Sequence, residues 1–263
     1  MFKKLPLVIC IMLVAGCATV PITGRKQISF LPASQLASLS QESYSQIISE
    51  SKLSQDREKI QVLERVGKRI AESAEEFMIK EGMGDQVKSY DWEFNLIEDD
   101  DTVNAFAMAG GKIAVYTGIL KVTKDDSGLA TVLSHEIAHV IANHAGERMS
   151  QYMLAEFGNV LLSEALKEQP DKTRNISMLA YGLGANVGVL LPFSRTHEQE
   201  ADHIGLIIMA LAGYDPNLAI DFWQRMSQES KNRPLEFLST HPSAEKRIEN
   251  LRRELPEAME YYK

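Results

Sequence analysis

Five residues near the middle of the chain, His135-Glu136-Ile137-Ala138-His139, constrain it more than any other stretch. In a helix, positions four apart are neighbours on one face, with Cβ atoms about 5–6 Å apart. Two imidazoles so placed converge on one point, and Glu136, directly after the first, reaches a water held there. Zinc takes imidazole nitrogen at about 2.0–2.1 Å, and a catalytic zinc keeps one position open for water. The H-E-x-x-H pattern therefore implies a zinc hydrolase, provided the segment is helical. The flanking sequence predicts a helix. Asp125-Asp126-Ser127 supplies an N-cap and places acids at the positive end of the helix dipole. Leu129, Val132, Leu133, Ile137, Val140 and Ile141 then follow at helical spacing, and the helix is expected to run from Leu129 to about Met149. A helix this apolar is buried. Its histidines are buried with it and need partners, of which a metal is one.

Two histidines do not complete a zinc site, so a third protein ligand is required. His144 lies five residues after His139, about 140° round a continuous helix, which suits a cap or a residue behind the ligands better than a ligand. A second apolar helix is expected from Arg195 to about Ala212. On it Glu198 and Asp202 are four apart and share a face, whereas Glu200 points elsewhere. The spacing selects Glu198 as the third ligand. Asp202 is then placed to accept the free ring N–H of a ligand histidine and fix its tautomer. Ala201 and Gly205 are small enough to let the two helices approach closely. His197 and His203 are expected to be surface or packing residues.

The rest of the chain predicts an α+β, mainly helical fold. Asp56 caps an amphipathic helix through Ile60, Leu63, Val66, Ile70, Ala74 and Phe77, which ends before Gly82. Trp92–Ile97 alternates as a strand. Glu98–Asp101 reads as a solvated acidic loop. Asn104–Met108 and Lys112–Tyr116 flank Gly110-Gly111 as a hairpin. The expectation is a small sheet of three or four strands beside the H-E-x-x-H helix. Met178–Phe193 is apolar and glycine-punctuated but too short for a bilayer span. It is expected to be a tightly packed internal helix ending at Pro192. Helices over 217–230 and 243–255 close the chain, with Pro242 in the first turn of the last.

The N-terminus predicts export. Lys3-Lys4 precedes an apolar run to Ala15, and Leu13-Val14-Ala15-Gly16-Cys17 resembles a bacterial lipobox. Residues 1–16 are then a signal peptide, and Cys17 is lipidated as the first mature residue. Residues 17–54 are expected to be a polar tether with a short helix, and 55–263 the main domain. Only Cys10 and Cys17 exist. Processing thus leaves no free thiol and no disulfide framework. The net charge of −8, without a basic stripe, argues against a nucleic-acid partner. Ala18 follows the cysteine where inner-membrane lipoproteins often carry Asp. By resemblance to lipoprotein sorting, this places the chain in the periplasm, anchored to the outer membrane.

Three motifs in order carry a family resemblance: H-E-x-x-H at 135–139, Ser194-Arg195-x-x-Glu198-x-x-Ala201-Asp202, and Thr240-His241-Pro242-Ser243 with Arg247-Ile248. Together they resemble metallopeptidase family 48, which holds HtpX-type heat-shock proteases, CAAX prenyl proteases and single-domain periplasmic lipoprotein proteases. The chain is most similar to the last group. The resemblance implies a gluzincin-type zincin domain with one Zn2+ on His135, His139 and Glu198, matching the ligand set from helical spacing. Glu136 is the expected general base. His241 is the candidate donor to the developing oxyanion. The matching histidine of relatives sits near the metal, so capping a resting site is the alternative, and an ordinary His-Pro helix start a third reading. Arg195 and Arg247 are expected either to pair with site acids or to form ordinary salt bridges. The implied function is a zinc endopeptidase of the bacterial envelope acting on unfolded or misfolded proteins, with an envelope assembly machinery as the implied partner. The competing readings are an envelope chaperone or assembly lipoprotein with latent protease activity, and a small-substrate zinc hydrolase.

Overall fold

The computed structural model describes residues 17–185, 191–231, 234–241 and 244–263. The signal-peptide expectation for 1–16, the glycine at 188 and Pro242 lie outside them. In chain order the elements are β1 (Cys17–Thr19), β2 (Lys26–Ile28), α1 (Ala33–Glu50), α2 (Arg57–Lys80), α3 (Gly84–Val87), β3 (Glu93–Ile97), β4 (Ala105–Met108) and β5 (Lys112–Tyr116). They continue with α4 (Thr117–Thr123), α5 (Asp126–Ile141), α6 (His144–Ala165), α7 (Asp171–Ala185), α8 (Leu191–Leu211), α9 (Asn217–Glu229), α10 (Glu236–Thr240) and α11 (Ala244–Tyr261). The fold is mainly helical, as the residue pattern implies. No helix among the described residues is long and apolar enough to cross a membrane.

The centre of the core is the pair α5 and α8. Asp125 accepts a hydrogen bond from Gly128 N at 2.9 Å and starts α5. Every residue of α5 from Gly128 to Ile141 is buried. Fully burying a large aliphatic side chain contributes roughly 1.5–3 kcal/mol. Leu129, Leu133, Ile137 and Ile141 on this one helix therefore offset the cost of taking His135, Glu136 and His139 out of water, provided those three find partners. α8 crosses close to α5 at Gly205, where a Cβ would lie 3.3 Å from His135 N. A larger residue there would push the two helices apart. α2, α9 and α11 pack around this pair.

A three-stranded sheet of order β3-β5-β4 lies beside α5. β3 runs parallel to β5 and β4 antiparallel to it. Gly110 (φ +84°) and Gly111 (φ +91°) make the β4–β5 turn in the left-handed region. β4 is left at the edge, on the side of the H-E-x-x-H helix.

Three segments depart from the sequence expectation. The helix expected to run on to Met149 stops at Ala142. Asn143 takes a left-handed conformation (φ 54°), which Asn tolerates better than most residues, and α6 begins at His144. The segment 18–34, expected as a tether, instead forms the β1–β2 hairpin and docks on the domain, with Val20 in the core. Over the described residues 178–185, the expected packed internal helix is instead largely exposed. α7 carries Ile176, Leu179 and Leu183 more than half exposed. Pro192 lies in the first turn of α8 rather than at a helix end, where its missing N–H costs no helical bond. Apolar composition alone does not say how far a neighbour covers a helix; α7 lies against α6, with Tyr181 Oη donating to Ala155 O at 2.8 Å, yet none of its residues is fully buried.

Candidate metal centre

His135 and His139 leave α5 on one face, as four-residue spacing requires, with their Nε2 atoms 3.1 Å apart. Glu198 on α8 faces them. Its Oε2 is 3.4 Å from His135 Nε2, and its Oε1 is 3.4 Å from His139 Nε2. His241, just past the end of α10, brings Nδ1 to 3.2 Å from His135 Nε2 and 2.8 Å from Glu198 Oε2. Four buried donors, from His135, His139, Glu198 and His241, thus lie within 4.8 Å of one another, close enough to share one ion. Three imidazoles and a carboxylate turned inward to a common point have no apolar partner there, and this donor chemistry fits a metal ion.

Glu136 stands beside this group and does not belong to it. Its Oε1 is buried without a hydrogen-bond partner and lies 3.5 Å from His241 Nε2. Burial pushes its pKa up, and the charges of His241 and His135 only partly offset that. Glu198 behaves differently. Burial would raise it, yet the imidazoles of His139, His135 and His241 around it hold it well below the usual carboxylate range. The two glutamates are thereby separated into a carboxylate able to take a proton and one that stays ionised.

His135 and His139 are each backed by a polar chain of their own. Behind His135, Nδ1 lies 3.0 Å from Asp202 Oδ1. Arg247 donates Nε to Asp202 Oδ2 and Nη2 to Glu198 Oε2, both at 2.6 Å, and lies 4.1 Å over the Trp223 ring. Arg247 thus pairs with both site acids, the first of its two expected readings. Arg195 is exposed and lines a cleft with Gln199, Lys246 and Arg247.

Behind His139 the structure corrects one sequence expectation, for Glu200, and decides another, for His197, between surface and packing. The break at Asn143 swings His144 round, so that its Nδ1 is 2.8 Å from His139 Nδ1 and its Nε2 is 3.0 Å from Glu200 Oε2. Glu200, which the spacing on α8 turns away from the site, reaches it through His144. His197 is not a surface residue. It is 1% exposed, stacks on His144 at 4.3 Å between ring centroids, and meets Glu147 Oε2 at 2.9 Å. His203 is half-buried at the rim, paired with Glu257, in line with expectation. Burial lowers His144 to about 4, which keeps it neutral. Burial would raise Glu200, but His144, Arg25 and Thr23 hold it at about 2. The clue available in sequence was His197 and Glu200 on a helix that runs on into the apolar stretch Ile204–Ala212; α6 offered none, since its buried residues are His144, Gly146, Glu147, Ser150 and Gln151. The mutual contact of His144, Glu147, His197 and Glu200 follows from the helix break, which apolar periodicity does not encode.

A cleft of about 180 Å³ opens onto the site, lined by Asn104, Ala105, Phe106, Ala107, Glu136, His139, Arg148 and His241. Its wall is edge strand β4, which pairs on one side only.

The sequence matches the model of Peptidase family M48 over residues 63–255. It is 41% identical over 169 residues to the mitochondrial metalloendopeptidase OMA1 of Schizosaccharomyces pombe, covering 64% of this chain and 48% of that protein. It is 32% identical over 181 residues to human metalloendopeptidase OMA1, covering 66% of this chain and 34% of that protein. Against the beta-barrel assembly-enhancing protease of Yersinia pestis it is 32% identical over 170 residues, covering 61% of this chain and 34% of that protein. The chain spans about half, or less, of the length of these curated relatives.

Proposed function

Because this chain belongs to peptidase family M48, we propose that it is a zinc-dependent endopeptidase of the bacterial cell envelope, degrading misfolded or misassembled periplasmic or outer-membrane proteins. The observation that carries the zinc reading is the spacing of the inward-facing donors. Zinc–ligand distances of about 2.0–2.2 Å correspond to tetrahedron edges of about 3.3–3.6 Å. His135 Nε2, His139 Nε2 and Glu198 lie 3.1–3.4 Å apart across the site. Support for the envelope is the lipobox-like Leu13–Cys17 and a bacterial relative named for β-barrel assembly. Mitochondrial relatives match the same domain, so the placement at the outer membrane, with lipid on Cys17, rests on the N-terminal sequence.

Zinc supplies a Lewis acid for the scissile carbonyl and lowers the pKa of a coordinated water towards about 7. The protein does the rest. A substrate laid along β4 adds a strand by backbone hydrogen bonds, which read extended chain more than side-chain identity. Such binding selects unfolded segments. Glu136 takes the proton of the attacking water and delivers it to the leaving amine. Asp202 holds His135 in the tautomer that presents Nε2, and Arg247 holds Asp202. Stripping the metal with a chelator abolishes casein cleavage, and one equivalent of Zn2+ per chain restores it. Cleavage by fully metal-free protein would overturn the zinc reading.

For His241 the position of Nδ1 among the donors favours the capping reading over an oxyanion donor. As a fourth donor beside His135, His139 and Glu198 it would fill the position that a catalytic zinc keeps open, and a substrate would have to displace it. His241→Ala then raises the initial rate of casein cleavage severalfold at saturating zinc. A fall of about 10²-fold or more in kcat would instead assign it to the oxyanion.

A further inference from the structure

The β1–β2 hairpin places Thr23 and Arg25 against the back of the metal centre, on a segment far from it in sequence. Pro21-Ile22-Thr23-Gly24 forms the turn, closed by Val20 N donating to Arg25 O at 2.9 Å. Ile22 (φ 67°) and Gly24 (φ 66°) both adopt left-handed conformations to make it. Arg25 then enters between two helices. It donates Nη1 and Nη2 to Glu147 on α6 at 3.0 and 2.7 Å, and Nε and Nη2 to Glu200 Oε2 on α8 at 2.9 and 2.7 Å. The Thr23 hydroxyl donates to the other oxygen of Glu200. Glu147 and Glu200 are 2% and 5% exposed at the side chain, and Arg25 is 22% exposed. Two buried carboxylates so close together need a shared cation, and one planar fork meets both.

The consequence runs through protons. His139 presents Nε2 to the site, so its Nδ1 carries the hydrogen and donates to His144 Nδ1 at 2.8 Å. His144 must then carry its own hydrogen on Nε2, and it donates to Glu200 Oε2 at 3.0 Å. That Glu200 oxygen is the one Arg25 grips. The aim and tautomer of a ligand histidine thus depend on an arginine 114 residues away in the chain. On the other side of the site, Arg247, Asp202 and His135 form the corresponding arrangement.

We infer that Arg25, with Thr23, is a positioning residue of the metal centre, acting on His139 through Glu200 and His144, and that docking of the N-terminal hairpin sets how firmly the metal is held. The inference rests on the zinc reading above. Losing such a backing interaction typically weakens metal binding by about 10–100-fold.

The test uses the full chain loaded with Zn2+ and, separately, with Co2+, whose visible absorption reports ligand geometry. Metal release to a chelator is timed for wild type, Arg25→Ala, Arg25→Lys, Thr23→Val and Lys26→Ala. Arg25→Lys keeps a charge but loses the two-carboxylate fork, and Thr23→Val removes only the hydroxyl. The series therefore stands even if Arg25→Ala does not fold. Lys26 is on the same hairpin, and its side-chain ammonium donates to Thr19 Oγ1 at 2.6 Å, away from both carboxylates; the Arg25 contact it makes is through its backbone oxygen, which Lys26→Ala keeps. Expected results are release at least tenfold faster and an altered cobalt spectrum for the Arg25 variants, a smaller change for Thr23→Val, and wild-type behaviour for Lys26→Ala. Wild-type release and spectra in Arg25→Lys and Thr23→Val would overturn the inference, as would an equal effect of Lys26→Ala. A wild-type chain that holds no metal would overturn the zinc reading and this inference with it. A loaded wild type with unchanged Arg25 variants overturns this inference alone.

Discussion

Glu136→Gln leaves the metal in place and lowers casein cleavage by about 10²–10⁴-fold, the usual contribution of a positioned general base. Two features of the site lead to that expectation. Glu136 is outside the donor group of His135, His139, Glu198 and His241, so replacing its carboxylate with an amide removes no ligand. Its Oε1 is buried without a hydrogen-bond partner, and burial raises its pKa, the direction a proton acceptor requires. Glutamine has the same shape and makes the same packing contacts, so unfolding is not a competing explanation for a loss. Metal content and cleavage are measured on the same preparation. Unchanged cleavage would remove Glu136 from the role of base. The same variant tests the chaperone alternative. A cell lacking the protein and restored by the Glu136→Gln form needs the chain for something other than peptide hydrolysis.

Glu198→Ala empties the metal site, whereas Glu200→Ala only loosens it. Glu198 sets Oε2 3.4 Å from His135 Nε2 and Oε1 3.4 Å from His139 Nε2, and its Oε2 also accepts from Arg247 at 2.6 Å. Its loss removes a ligand and leaves Arg247, 3% exposed, with Asp202 as its remaining carboxylate. Breaking a buried ion pair from one side costs about 3–5 kcal/mol, so a drop in thermal midpoint accompanies the loss of metal. Glu198→Gln keeps the shape, and comparing it with Glu198→Ala separates the missing ligand from the missing volume. Glu200 is one imidazole removed from the ligands, and its loss is expected to fall within the roughly 10–100-fold range of residues that orient them. Equal metal contents in Glu198→Ala and wild type, or a greater loss in Glu200→Ala than in Glu198→Ala, would reverse the assignment of the third ligand.

Much of this arrangement was legible because it is local. Asp125 at the start of α5, the helical spacing of Leu129 to Ile141 and the four-residue interval from His135 to His139 are properties of one helix. The interval from Glu198 to Asp202 is equally local to α8. Once both helices are known to be apolar, burying them face to face at Gly205 brings the acids to the histidines. The Gly110-Gly111 turn was readable for the same reason, since only a left-handed backbone closes so tight a hairpin. His241 was harder. It was named as a neighbour of the site from resemblance to the family, and its Nδ1 reaches the donors from a loop whose course the helix periodicities do not fix.

Apolar periodicity across Asn143 reads through into α6, because a single left-handed residue leaves almost no trace in the hydrophobic pattern. That one backbone angle makes His144 a contact of His139 and brings Glu200, Glu147 and His197 into a single buried network. For α7, composition predicted burial but could not say how far its neighbour covers it. The sequence by itself determined which residues share a helix face, and hence the two H-E-x-x-H histidines, the glutamate beside them and the E-x-x-x-D pair. Only the tertiary structure decided that Arg25, from a hairpin near the start of the chain, holds the carboxylate behind His139. Helical spacing propagates for a few residues. The meeting of two buried carboxylates with one guanidinium depends on the packing of three segments that are remote in sequence.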